Sequence, residues 1–136
     1  MIQIIAGKKG SGKTKRLIDM TNNSIKDAKA DVVFIDDDNR YMFDINSKVR
    51  FINAGEYPIT TAEAFLGFIS GMLAQNFDVG LIFIDAFKKL VKIDLGETQS
   101  FFESMNALCI KHNVDFVLSV SEDPALLPEF MKAYII

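Results

Sequence analysis

The chain is poor in residues that several classes of protein require. It has 136 residues but a single cysteine, Cys109, so no internal disulfide can form. Cys109 and the single histidine, His112, are too few for a zinc site built from these two residue types. No stretch reaches the roughly 18 consecutive apolar residues needed to span a bilayer, and no secretory leader is visible. These absences predict a cytoplasmic protein without a transmembrane segment.

Positive charge is also limited. The formal net charge is -3, and the arginines are only Arg16, Arg40 and Arg50. A nucleic-acid backbone is normally bound by clustered lysine and arginine, so we expect no nucleic-acid partner. Many small-molecule kinases have an arginine-rich lid, and three arginines give little indication of one here. The length and the 49% hydrophobic content predict one nucleotide-binding domain, residues 1–136, with a substantial core.

One motif near the start of the chain satisfies the phosphate-loop pattern G-x-x-x-x-G-K-[ST] at every specified position. Its residues are Gly7, Lys8, Lys9, Gly10, Ser11, Gly12, Lys13 and Thr14. Glycines allow the backbone to approach an anion closely, so that successive N–H groups can face phosphate oxygens. In this pattern Lys13 reaches the β and γ phosphates, and the Thr14 hydroxyl binds Mg²⁺.

The surroundings of this motif favour the same prediction. A short β-branched run, residues 2–6, precedes it, and apolar residues at helical spacing from Leu17 to Ala28 follow it. A loop between a buried strand and a helix directs the positive end of the helix at a bound phosphate.

A second landmark is the apolar run at residues 78–85, which ends in Asp85. An aspartate at the end of a buried strand is what the magnesium site of a phosphate-loop protein requires. We expect Asp85 to hold Mg²⁺ through a water, opposite Thr14, so that the ion bridges the β and γ phosphates.

Other polar residues follow predicted strands. Asp36 and Asp38 follow the buried run at residues 31–36, Glu56 follows the next run, and Ser119 lies near the end of the last one. Ligands of parallel sheets bind outside the carboxyl ends of the strands. Asp36, Asp38 and Glu56 are therefore candidates to position a water, and Ser119 is a candidate to sense the γ phosphate. The alternative for the acidic residues is ordinary turn chemistry.

Strands that alternate with helices predict an α/β fold, with a mostly parallel sheet between helices on both faces. Thr60 and Glu63 have the spacing of a capping box, which predicts that Thr60 caps a helix. Residues 40–48 are compatible with a short strand or an ordered loop. The apolar tail, residues 126–136, is predicted to pack back on the domain, with a partner or a membrane surface as the alternative.

Through residues 7–14 and Asp85 the chain resembles the P-loop NTPase superfamily over nearly its whole length. This resemblance implies a minimal P-loop fold, a three-layer α-β-α sandwich that binds ATP and Mg²⁺. The compact core and the strand with Ser119 and Ser121 look like the RecA-like ATPases. The entire chain also looks like short bacterial ATP-binding proteins that are sometimes labelled twitching-motility ATPases, although it has no room for a pilus motor.

The loop is also similar to the deviant loop K-G-G-x-G-K-[ST] of the ParA/MinD family, with Lys8 at the signature position. That resemblance implies that Lys8 acts across an ATP-bound dimer and that Asp36 has a water-activating or metal-linked role. Lys9 stands where this family has glycine, and the chain is far shorter than a full member.

These patterns predict a slow Mg-dependent ATPase that acts as a nucleotide switch. No acidic residue stands beside Asp85 to orient water, and no arginine finger is evident in cis, so Lys8 and Arg40 are candidates to act in trans from a second copy or a protein partner. Two alternatives are an ATP-dependent docking module without significant hydrolysis and a small-molecule kinase. ATP is expected rather than GTP, because no N-K-x-D guanine motif is present.

Overall fold

Five parallel strands form the centre of the fold. The computed structural model describes residues 1–136. The strands are β1 (Ile2–Gly7), β2 (Asp31–Asp36), β3 (Arg50–Asn53), β4 (Val79–Ile84) and β5 (Asp115–Ser121). The helices are α1 (Lys13–Ser24), α2 (Ala62–Gln75), α3 (Phe87–Val91), α4 (Gln99–His112) and α5 (Glu129–Lys132). The strands are largely β-branched and aromatic, as expected for parallel strands buried on both faces.

The strands are arranged in the order β1-β5-β4-β2-β3, and every neighbouring pair is parallel. β5 therefore lies between β1, which leads into the phosphate-loop motif, and β4, which leads to Asp85. β2 and then β3 follow on the far side of β4. This order decides which strand ends can contribute to one site.

Side chains that alternate along the strands divide the core into two layers. Phe34, Phe83 and Val117 point to the face that α1 covers, in a cluster of nine buried residues. Ile35, Ile84 and other side chains point to the opposite face, where a cluster of 27 buried residues includes side chains of α2, α3, α4 and α5. Helices on both faces of a parallel sheet confirm the predicted three-layer α/β fold.

The apolar tail covers the outer edge of β1, as predicted for a segment that packs back on the domain. The Ile4 N–H donates to the Tyr134 carbonyl at 2.8 Å, and the Ile136 N–H donates to the Ile4 carbonyl at 3.0 Å. Met131 is fully buried, and the ring of Tyr134 stacks on Phe102 at a centroid distance of 5.6 Å. The tail therefore satisfies backbone groups that an open edge strand would expose.

The prediction that the first helix reaches Ala28 is wrong, because α1 ends at Ser24. Asn22 uses its side chain elsewhere, donating to the Asp44 carbonyl and accepting from the Asn46 N–H, both at 2.8 Å. At the end of the helix the Ser24 hydroxyl donates to the Thr21 carbonyl at 2.7 Å, and serine side chains that bond the backbone locally compete with helical hydrogen bonds. The two hydrogen bonds of Asn22 hold residues 40–48, an ordered loop with one 3₁₀ turn, Met42–Asp44, against α1.

The cap of α2 is displaced by one residue from the predicted position. Thr61, not Thr60, precedes the helix, and its hydroxyl accepts from the Ala64 N–H at 3.0 Å. Glu63 is then the second helical residue and does not have the capping-box position.

We expect Thr61→Ala to lower the free energy of unfolding by about 1 kcal/mol, the usual contribution of a threonine cap. Thr60→Ala is the matched control and should leave stability within about 0.5 kcal/mol of the wild type, as surface substitutions generally do. Urea denaturation of both variants measures the difference. The reverse order of the two effects would contradict the assigned cap.

Candidate nucleotide site

Three polar side chains meet at the carboxyl edge of the sheet, on the face that α1 covers. Asp36, Asp85 and Ser119 each lie two residues beyond a side chain of the α1-side core, so the alternation of the strands points all three to that face. All three are buried, with at most 5% exposure. The strand order places Ser119 on β5 beside the Asp85 end of β4, and Asp36 on the other side of it at the end of β2.

The phosphate-loop motif connects β1 to α1 at the same edge. Gly10 and Gly12 have φ angles of 84° and 87°, in the left-handed region where a Cβ is strained. At Gly7 a Cβ would lie 2.4 Å from the Ser11 hydroxyl oxygen, so a larger residue there requires the Ser11 side chain to move. Gly12 offers no side chain to cap α1, which leaves the first N–H groups of the helix available to an anion.

Lys13 is directed into the loop. It is buried to 8% exposure, and its Nζ donates to the Lys8 carbonyl at 3.1 Å. This bond joins the end of the loop to its beginning and holds the ammonium group against the loop backbone. A phosphate cradled by the loop would meet this cation directly.

A short hydrogen-bonded network joins the loop to β4 and β5. The Thr14 hydroxyl lies 3.2 and 3.3 Å from the two Asp85 carboxyl oxygens. The Ser119 hydroxyl also donates to Asp85, and it accepts from the Ala86 N–H at 3.0 Å. The Thr14 hydroxyl is therefore in direct hydrogen-bond contact with the Asp85 carboxyl group. Ser119 fixes the orientation of the same carboxyl group.

Asp36 differs from the other carboxyl groups. One of its oxygens accepts from the Asp37 N–H at 2.8 Å, whereas Oδ2 is buried without any hydrogen-bond partner. Burial, with contributions from Asp37 and the charge of Asp85, raises the pKa of Asp36 from 3.8 to about 8. Asp36 is therefore protonated at neutral pH, and its carboxyl group can donate as well as accept.

These groups line a cleft of about 1170 Å³ that begins at the loop and continues between α1 and residues 40–44. That volume exceeds the upper end of the range of about 300 to 1,000 Å³ for small-molecule sites. The lining residues are Lys9, Gly10, Gly12, Lys13, Thr14, Lys15, Ile18, Asp19, Asn22, Asp36, Asp37, Arg40, Tyr41, Asp44, Asp85, Ala86, Lys88, Lys89, Ser119 and Ser121.

Five of the residues singled out from the sequence do not line this cleft, namely Gly7, Lys8, Ser11, Asp38 and Glu56. Glu56 is exposed in a 3₁₀ turn after β3, the edge strand farthest from β1. Asp38 is bound to Arg40, whose backbone and guanidinium hydrogen bonds lower the Asp38 pKa. The Lys8 side chain is 80% exposed and points to Asp123 at 4.0 Å. Of the three candidates to position a water, the structure brings only Asp36 to the loop.

The cleft also contains Arg40, Lys88 and Lys89. The sequence patterns did not predict that these three cations would lie in the cleft of their own chain. Arg40, expected to act from a second copy, lies in the cleft of its own chain. Lys88 and Lys89 follow Asp85 by three and four residues on α3, and both side chains reach the cleft. The sequence offered one indication of this, because the two lysines come shortly after Asp85 and the strand that leads to it.

The donor set fits a hard divalent cation. Thr14 and Asp85 offer hydroxyl and carboxylate oxygens, which are the ligands that Mg²⁺ prefers. No nitrogen or sulfur ligand of the kind that selects zinc takes part.

Comparison with known proteins identifies a fold. No family model matches the chain, and no curated protein matches it. Among solved structures it is similar to domain III of the replication initiation protein DnaA from Thermotoga maritima, with a TM-score of 0.52 and 16% sequence identity. The match covers 98% of this chain and 50% of that structure, so this chain spans half the length of its structural neighbour. At this identity the likeness shows the fold alone.

The helices of this fold are short relative to the thickness of a membrane. The longest, α2 and α4, have 14 residues each, and no helix has both the length and the apolar character needed to cross a bilayer.

Proposed function

We propose that the chain binds Mg-ATP at the phosphate loop and hydrolyses it slowly, as a nucleotide-dependent switch. The observation that carries this proposal is the convergence of Lys13, Thr14, Asp85 and Ser119 at the end of a glycine loop of matching pattern. A fold similar to that of a DnaA domain is consistent with it.

The loop and the start of α1 would hold the phosphates. Backbone N–H groups and the Lys13 ammonium supply positive charge, and the glycines at positions 10 and 12 let the backbone approach. Thr14 and Asp85 would hold Mg²⁺, which when bound supplies charge neutralisation between the β and γ phosphates. Because no guanine motif is present, ATP is the proposed nucleotide.

Hydrolysis requires a water placed in line with the γ phosphate. The water oxygen forms a bond to the γ phosphorus while the bond from that phosphorus to the β-bridging oxygen breaks, and the electron pair stays on ADP. The water proton must be accepted nearby, and Asp36 is the cleft residue with a free buried carboxyl oxygen. It accepts a proton only when ionised, and with a pKa of about 8 it is mostly protonated at neutral pH. A slow reaction at pH 7 follows.

The protonated state of Asp36 also favours a second candidate, an ATP-dependent docking module with negligible hydrolysis. In that function the bound nucleotide orders the cleft walls for a protein partner or a second copy, and turnover is incidental. The length of the cleft beyond the loop leaves room for the third candidate, transfer of the γ phosphoryl group to a small molecule.

A single-turnover assay with γ-labelled Mg-ATP, protein in excess and protein concentration varied widely separates these functions. We expect label in inorganic phosphate at a slow rate that does not change with concentration, because the cleft cations lie in cis. A rate that climbs with concentration would mean that Lys8 or Arg40 of a second copy completes the site. Nucleotide that binds but stays intact would support the docking module, and label on another molecule would support the kinase.

A further inference from the structure

The segment after Asp85 has an unusual backbone. Ala86 and Lys92, at the two ends of α3, have φ angles of 56° and 58°, a region that residues with a Cβ seldom adopt. Such conformations persist where the surrounding structure holds them, and they concentrate at functional sites. Here the Ala86 N–H donates to Ser119, so the turn is held by the same hydroxyl that orients Asp85.

This turn determines where the side chains of α3 point. The apolar residues Phe87, Leu90 and Val91 are buried in the larger core, which anchors the short helix. The two residues between them, Lys88 and Lys89, are left on the cleft side. Anchoring by three buried side chains fixes the starting points of both lysines.

Each lysine is held at the rim of the cleft by a weak ion pair. The Lys88 ammonium lies 3.6 Å from Glu122, just after β5, and the Lys89 ammonium lies 3.7 Å from Asp37, just after β2. The two cations therefore extend to both sides of β4. Their side chains are 47% and 68% exposed, and exposed pairs of this kind contribute little to stability, so a phosphate oxygen could replace either carboxylate.

Both lysines line the cleft that also contains Lys13, Thr14 and Asp85. In the loop pattern Lys13 reaches the β and γ phosphates, and Thr14 with Asp85 would hold the ion that bridges them. Lys88 and Lys89 follow Asp85 by three and four residues on the chain. Fixed cations beside the γ phosphate accelerate phosphoryl transfer, because negative charge redistributes there during the reaction.

We propose that Lys88 and Lys89 are the cations that stabilise the transition state of γ-phosphoryl transfer in cis, in place of an arginine from a second copy. This inference rests on the proposed binding of Mg-ATP. As the bond to the β-bridging oxygen breaks, the two ammonium groups leave Glu122 and Asp37 and bind the γ-phosphate oxygens. The proposal assigns a role to the lysines in the reaction rather than in ground-state affinity.

The test uses Lys88→Gln, Lys89→Gln and the double variant, with Lys92→Gln as the matched control. Lys92 is exposed at the end of α3 and does not line the cleft. Its substitution by glutamine removes the same charge as the other two substitutions. The Mg-ATP dissociation constant and the single-turnover rate are measured separately, and thermal unfolding verifies that each variant folds. We expect the double variant to lose about 100-fold in rate, comparable with removal of an oxyanion donor. Its dissociation constant should change less than about tenfold, and arginine at both positions should restore much of the rate.

A double variant that binds Mg-ATP and hydrolyses it at the wild-type rate would overturn the inference. So would a large rise in the dissociation constant with an unchanged rate, because the lysines would then serve ground-state binding only. A comparable loss of rate in Lys92→Gln would point to a general charge effect and would also overturn it. If the wild type itself fails to bind Mg-ATP, the proposed function is wrong, and the binding measurement identifies that failure independently.

Discussion

We expect the replacement of Lys13 by alanine to abolish the stabilisation of the fold that the proposed binding of Mg-ATP would give. A ligand present at about 100 times its dissociation constant adds roughly 2.7 kcal/mol to the free energy of unfolding. For a chain of 136 residues this corresponds to a rise of roughly 10 °C in the melting temperature. Lys13 is the buried cation at the centre of the loop, and without it the phosphates lose their direct ion pair.

Thermal unfolding with and without Mg-ATP measures this effect. Lys8→Ala is the matched control, because it removes a neighbouring lysine whose side chain is 80% exposed and lies outside the cleft. The control should keep the full nucleotide-dependent shift. If the wild type melts at the same temperature with and without Mg-ATP, the phosphate-loop hypothesis is wrong. If Lys13→Ala keeps the full rise in melting temperature with Mg-ATP, Lys13 does not take part in nucleotide binding.

Replacing Asp36 by asparagine flattens the dependence of stability on pH between about 4 and 8. The Asp36 pKa is raised in the folded chain from 3.8 to about 8, mainly by burial. Between these values the unfolded chain has released the proton and the folded chain still holds it. The stabilising effect is therefore complete below about pH 4 and is lost as the pH rises to 8, at up to about 1.4 kcal/mol per pH unit.

Urea denaturation at several pH values between 5 and 8 measures the slope. Asp38→Asn is the control: its pKa is lowered by Arg40, so its stabilising effect is lost only below this range and the wild-type slope should remain. Parallel curves for the wild type and Asp36→Asn would show that Asp36 does not hold its proton. The catalytic assignment has its own readout, because the wild-type turnover rate should rise as Asp36 ionises near pH 8 and the Asp36→Asn rate should not.

Local patterns were sufficient for much of the fold. The apolar runs that became β2, β4 and β5 were predicted within one or two residues, because continuous apolar sequence has one stable place in an α/β protein, between two layers of helices. The errors came from side-chain hydrogen bonds at the ends of helices. Ser24 bonds back to Thr21 where α1 ends early, and Thr61 rather than Thr60 caps α2 by accepting from the Ala64 N–H.

The candidate site depended more strongly on tertiary structure. The sequence by itself determined the glycine loop, Lys13 and Thr14, because these are consecutive residues whose pattern carries its own chemistry. It also identified Asp85 as the end of a buried strand. Which other residues join them follows from the strand order β1-β5-β4-β2-β3, and no local pattern encodes that order.

That order brings Asp36 to the cleft and leaves Glu56 in the turn after β3, the edge strand farthest from β1. Arg40, Lys88 and Lys89 also lie in the cleft of their own chain. The sequence had instead suggested that cations would come from a second copy. The sequence determined which groups form the glycine loop, because that loop consists of adjacent residues. Only the tertiary structure decided which distant charges face it, because their meeting depends on how five strand ends are placed side by side.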